Sequence, residues 1–215
     1  MKKSVILLIF LLMLSGCQKT TLDYGFVEGL SKPVPKSTNH TKDYLSYYLP
    51  PHVGLKESGA NYSLLDVEGY DVLMRLSIEH IISEKFDYEK NLAKEISQEI
   101  LFQDDASYID IEDNSKTVHA IIYQLEDRYA ILINNEEIEM MSLVPKTNVS
   151  ITLESMVNIL KTVVVNKDLV VSDYSSKEIS TYESTYSEFF EQTPPETGTL
   201  KEMNEQLDPG KSGKE

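Results

Sequence analysis

The sequence predicts an α+β fold, mostly antiparallel sheet with two principal helices packed on one face. Three observations predict it. Several stretches alternate apolar and polar residues with the period of a half-buried strand, as in Val72, Met74, Leu76 and Ile78. Two others repeat their apolar residues at three- and four-residue steps. The links between strand-like runs are hairpin-length, and the regular strand and helix alternation and phosphate loop of a doubly wound parallel fold are missing.

The elements follow in order. Tyr44 to Tyr48 (YLSYY) leads into Pro50-Pro51, which blocks a helix and favours extended backbone. Tyr62, Leu64, Leu65 and Val67 then face Val72 to Ile78 across Glu68-Gly69, a strand pair. In residues 86–103, FDYEKNLAKEISQEILFQ, the period changes. Leu92, Ala93, Ile96, Ile100 and Leu101 form one stripe and Asp87 stands as a cap, which predicts the first helix. QDDASYIDIEDNSK reads as turn-rich. VHAIIYQL, DRYAILI and EEIEMMSLV then read as a three-stranded meander turning at Glu126-Asp127 and Asn134-Asn135. The second helix lies in SITLESMVNILKTVVVNK, with Leu153, Met156, Val157, Leu160, Val163 and Val164 on one stripe and Thr152 as its cap. Asp168 to Tyr174 reads as a closing strand, and the residues up to Phe190 as a polar cover.

Composition sets the partners. The formal charge is −15, from 20 basic and 35 acidic residues, which disfavours nucleic acid because phosphate binding needs clustered Lys and Arg. There is one cysteine, so no intrachain disulfide forms and the domain folds by its core alone.

That cysteine closes the most specific stretch of the chain. Lys2 and Lys3 precede an uncharged apolar run, Val5 to Leu14, too short to span about 30 Å of hydrocarbon and of secretory-signal length. Leu14-Ser15-Gly16-Cys17 follows, and it resembles the lipobox of bacterial lipoprotein signal peptides. The resemblance implies a diacylglyceryl thioether on Cys17, cleavage between Gly16 and Cys17, and a membrane partner reached through the lipid. Two acyl chains anchor stably where one is marginal. With Gln18 after the cysteine, the resemblance implies the outer face of the plasma membrane in a one-membrane cell, or the outer membrane where there are two. Residues 1–16 are then the signal peptide and 17–43 the lipidated cysteine with a flexible tether of about 28 Å root-mean-square reach. Residues 44–190 are a single domain and 191–215 a disordered acidic tail.

Little in the body points to chemistry. The histidines at 40, 52, 80 and 119 lack metal-ligand spacing, and no nucleophile elbow or free thiol accompanies them. Asp110, Glu112, Asp113 and Asn114 fail the calcium-loop pattern, with Ser115 and Ile121 at its sixth and twelfth positions. No catalytic residue, metal ligand or cofactor is expected. Glu136, Glu137 and Glu139 read as solvated protection of a strand edge. Thirteen tyrosines without a tryptophan stand out, and Tyr62, Tyr70, Tyr123 and Tyr129 are the candidate binding residues.

The favoured function is a non-catalytic binding or assembly factor of the cell envelope, its partner an envelope protein or wall polymer. A cell-wall or peptide hydrolase using paired carboxylates and a small transporter-associated binding protein are the alternatives. A carboxylate pair of perturbed pKa in a pocket favours the enzyme; an open tyrosine-lined groove or a sheet edge favours binding.

Overall fold

The structure, a computed structural model, describes residues 22–86 and 98–175. The signal peptide, Cys17, residues 87–97 of the first expected helix, the cover after Ser175 and the acidic tail lie outside the described residues.

Within them the chain runs α1 (Tyr24–Ser31), β1 (His40–Thr41), β2 (Leu45–Tyr47), β3 (Val53–Ser58), β4 (Tyr62–Val67), β5 (Tyr70–Leu76), α2 (Ile78–Phe86), β6 (Ile100–Ile109) and β7 (Ser115–Leu125). It continues with β8 (Arg128–Asn134), β9 (Ile138–Val144), a 3-10 turn (Lys146–Asn148), α3 (Val149–Leu160), β10 (Val164–Val165) and α4 (Lys167–Tyr174). Seven strands form one antiparallel sheet in the order β3-β4-β5-β9-β8-β7-β6, and β1-β2-β10 form a small second one. This is the α+β, mostly antiparallel architecture that the alternation predicts.

Local chemistry sets the hairpins. β4 and β5 close through Glu68-Gly69, both at positive φ (53° and 84°), the handedness a two-residue turn needs to match strand twist. β7 and β8 close through Glu126-Asp127, with Leu125 opposite Arg128. Between β8 and β9, Asn135 Oδ1 accepts from the amides of Glu137 (2.9 Å) and Ile138 (2.7 Å) and holds the turn by its side chain.

Alternation along the central strands makes both faces of the sheet apolar. One face carries Leu65, Val67, Val72, Met74, Ile131, Ile133, Ile138 and Met140, and all four described helices contribute side chains to this core. The other carries Tyr62, Leu64, Leu73, Tyr123, Ala130, Leu132 and Met141, also buried, and no described helix contributes to it. Central strands buried on both sides explain the nearly unbroken apolar runs AILI and MMSLV.

Several expectations are corrected. Tyr24–Ser31, expected as tether, is a helix whose Gly25, Phe26 and Gly29 are buried. The two glycines let α1 approach α3 closely. A Cβ on Gly25 would lie 2.1 Å from the Ser150 carbonyl oxygen, and one on Gly29 2.7 Å from Val157 Cβ. At the far end of α1, Lys161 Nζ donates to the carbonyls of Gly29 (2.9 Å), Leu30 (3.0 Å) and Lys32 (2.6 Å), a cation where the helix dipole is negative. Ile100 to Gln103, expected as the end of a helix, open β6, and the expected turn of 103–116 contracts to residues 110–114 between β6 and β7. Asp168 to Tyr174 is helical, because Asn166 caps α4 by accepting from the Leu169 amide at 3.1 Å. Helix α3 carries Leu153, Met156, Val157 and Leu160 of its expected stripe, but it starts at Val149, buries Thr152 rather than using it as a cap, and ends at Leu160, so that Val163 lies beyond it and Val164 pairs with Ser46 in the small sheet.

Candidate binding surface

The four candidate tyrosines do not form one surface. Tyr62 and Tyr123 are buried in the second-face cluster, while Tyr70 and Tyr129 are half-buried against the first. A strand that is apolar on both sides sends tyrosines both ways, so a shared composition does not become a shared face. Tyr62 donates to Glu57 Oε1 at 2.5 Å. Tyr44, near the small sheet, donates to Asp173 Oδ2 of α4 at 2.8 Å, and the carboxylate beside it raises its pKa.

Ser63 offers the only nucleophile beside a lysine whose pKa is strongly lowered among the described residues. Lys42 Nζ donates to Ser63 Oγ and to the carbonyls of Tyr62 and Gly59, the last at 3.2 Å, and Tyr47 Oη lies 3.0 Å from the same hydroxyl. Burial lowers the Lys42 pKa to about 8. A serine beside such a lysine is a known form of activated nucleophile. Ser63, however, has no exposed surface, so nothing reaches its Oγ in this conformation. What the three oxygens do is hold the amino-terminal stretch against the β3–β4 hairpin.

This lysine has a thermodynamic signature. Its folded pKa lies below the 10.5 of an exposed lysine. Between pH 8 and 10 the unfolded chain therefore binds the extra proton, and stability rises with pH. The expected gain is about 1 kcal/mol after allowing for solvent screening of the half-exposed ammonium. Urea unfolding at pH 7.5, 8.5 and 9.5 checks it, and Lys42→Met should flatten the slope.

The buried carboxylates are likewise engaged. Among the described residues no group of three His, Cys, Asp or Glu is placed to hold a metal ion. Asp110 accepts from the amides of Glu112 (2.9 Å) and Asn114 (2.8 Å) and pairs with Lys116 at 3.2 Å. Of the three glutamates expected as solvated edge charges Glu136 is exposed, but Glu139 is buried because β9 lies in the middle of the sheet, and Glu137 in the turn before it is buried too. Glu137 pairs with Lys116 (2.8 Å) and Lys167 (3.3 Å), and Glu139 with Arg75 (2.6 Å). Of the histidines, His119 Nδ1 lies 2.7 Å from Asp105 Oδ1 at an exposed site, and His40 stacks on Tyr47 at 5.5 Å.

Among the described residues, what remains open is a sheet edge. The seven-stranded sheet ends in β3 and β6, and the two differ. β3 is six residues long and bulged between Leu55 and Glu57, and Lys56 on it pairs with Asp66 (2.6 Å) and Asp71 (2.5 Å). These are the features that blunt an edge. β6 has ten residues and, among the described residues, pairs only with β7, with a single irregularity at its start. Among the described residues no strand pairs with its other side, where the Asp105 amide donates to Asp104 Oδ1 at 2.9 Å and the remaining outward N–H and C=O groups are presented to a further strand. Ile100, Leu101 and Ile109 are 42%, 38% and 52% exposed at its two ends, and Asp104 and Asp105 sit at its middle. Sequence reasoning missed this surface because it gave the first residues of β6 to a helix and the rest to a turn.

No family model matches the chain, and no curated protein matches it either.

Proposed function

We propose that the chain is a lipid-anchored extracytoplasmic protein of the bacterial envelope that binds its partner without transforming it, and that β6 is the binding edge. The observation that carries the binding reading is the ten-residue edge strand with apolar ends and an acidic centre. The anchor rests on Leu14-Ser15-Gly16-Cys17.

The partner is an extended protein segment that adds a strand to β6. Main-chain hydrogen bonds supply the affinity, and the side chains select. Asp104 and Asp105 straddle the centre of β6, so two copies pairing antiparallel in full register would set Asp104 against Asp105 of the other copy. Like charges directly opposite destabilise a strand pair. The same charges favour a segment with Lys or Arg at its centre and apolar residues at its ends.

A ten-residue peptide with that pattern tests the reading. It should slow hydrogen exchange of β6 amides, and the paired change Asp104→Lys and Asp105→Lys should weaken binding at least tenfold. Equal binding by this variant, or no protection of β6, would refute the edge as the site. Size-exclusion chromatography supplies a companion result, since Asp104→Asn with Asp105→Asn should raise the dimer fraction.

A further inference from the structure

We infer that the outward face of α1 rests on the membrane surface, with Tyr24 and Val27 in the lipid–water interface, so that the domain has one fixed end toward the bilayer. The inference builds on the proposed lipid at Cys17.

Three observations carry it. The first is the exposed face itself. Gly25, Phe26 and Gly29 turn inward, while Tyr24 and Val27, three positions apart and on one side of the helix, are 55% and 57% exposed. A tyrosine beside an aliphatic residue suits the headgroup boundary, where one end of the ring is apolar and the other wet.

The second is chain length. Only Gln18 to Asp23 separate Cys17 from α1, and six residues span at most about 22 Å when fully extended. Because α1 is packed into the core through Phe26 and against α3 through its glycines, the α1 end of the domain is held within that distance of the anchor.

The third is charge. Residues 18–41 carry three lysines against Asp23 and Glu28, whereas residues 42–215, with Lys42 held at the β3–β4 hairpin, carry fifteen basic against thirty-three acidic residues. An anionic membrane attracts the first segment and repels the second, which turns the α1 end inward. Glu28 flanks Tyr24 and opposes this locally, but the excess of acid elsewhere sets the orientation.

The chain contains no tryptophan, so Tyr24→Trp provides a single fluorophore in the full-length lipidated protein. Reconstituted into phosphatidylglycerol–phosphatidylcholine vesicles with brominated acyl chains, this variant should be quenched at least twofold relative to unbrominated vesicles. Leu55→Trp provides the comparison. Leu55 lies on β3, six strand spacings or about 29 Å across the sheet from β6, against which α1 packs Phe26 on Phe102 at 5.8 Å. It should remain unquenched, and adding Val27→Glu to Tyr24→Trp should remove most of the quenching. Mass spectrometry of the mature amino terminus separates the two ideas. An unlipidated Cys17 overturns the anchor and the orientation together. A lipidated Cys17 with an unquenched Tyr24→Trp, or with equal quenching at Leu55→Trp, overturns the orientation alone.

Discussion

Gly25→Ala is expected to lower the unfolding free energy by about 3 kcal/mol, although alanine is the better helix former. Propensity alone would add about 1 kcal/mol of stability. Against it stands a Cβ placed 2.1 Å from the Ser150 carbonyl oxygen, with the Ser150 carbonyl carbon and Cα at 2.8 and 2.9 Å. These are backbone atoms inside α3, so relief requires the two helices to separate, which exposes Phe26. Gly29→Ala should cost less, about 1 kcal/mol, because its nearest neighbour is the Val157 side chain, which can give. Val27→Ala, on the exposed side, should be nearly neutral. Urea denaturation followed by circular dichroism orders the three. A stabilised Gly25→Ala would mean that α1 is not docked, and it would also lengthen the free chain between Cys17 and the domain.

That result bears on what the sequence made legible. The β4–β5 hairpin and the β7–β8–β9 meander were readable because their signals are local: a period of two, broken by two-residue turns or by Asn135. Helix α1 was not. Gly25 and Gly29, in a short stretch rich in Thr, Ser and Pro, look like flexibility until α3 is brought against them. The same glycine that signals a tether in isolation is the only residue that fits a close helix contact. β6 was lost for a related reason. Asp104-Asp105 and Ser107 are poor strand formers, and their strand state comes from nine paired positions along β7, a non-local cause.

The site was less legible than the fold. Strand order cannot be read from one sequence, so Glu139 looked like an edge charge when its strand is central, and β6 looked like the end of a helix followed by a turn. The tyrosines were visible, but their faces were not. Assigning a face requires knowing that both sides of the sheet are buried, and AILI and MMSLV state this only once the strands are in place. Asp110 was correctly placed in an acidic turn, but its pairing with Lys116 and the neighbouring Glu137 needed the fold.

That cluster gives the second large effect. Lys116→Met should cost about 3 kcal/mol, at the low end for breaking a buried ion pair. Lys116 lies between Asp110 and Glu137, both buried, at 3.2 and 2.8 Å. Burial works against its charge, but Glu137 and Asp110 outweigh it and raise the Lys116 pKa above 10.5. Burial also pushes Asp110 up, and the Asn114 amide, Lys116 and the Glu112 amide overcome it and hold the carboxyl below its ordinary 3.8. The signs follow. The Asp110 contribution is present above about pH 4 and is lost as pH falls through the lowered folded pKa, whereas the Lys116 contribution is present below pH 10.5 and is lost as pH climbs through the raised one. Lys116→Met removes the cation and leaves burial opposed by the Glu112 and Asn114 backbone amides and the longer bond from Asn114 Nδ2, so the acid-side loss of stability should shrink even as total stability drops. Adding Asp110→Asn and Glu137→Gln should recover more than half of the deficit, because neutral partners no longer require a buried counter-charge. Unfolding titrations from pH 3 to 7 on the three proteins decide it. If the triple variant is no more stable than Lys116→Met, then the lysine acts through its packing rather than through its charge.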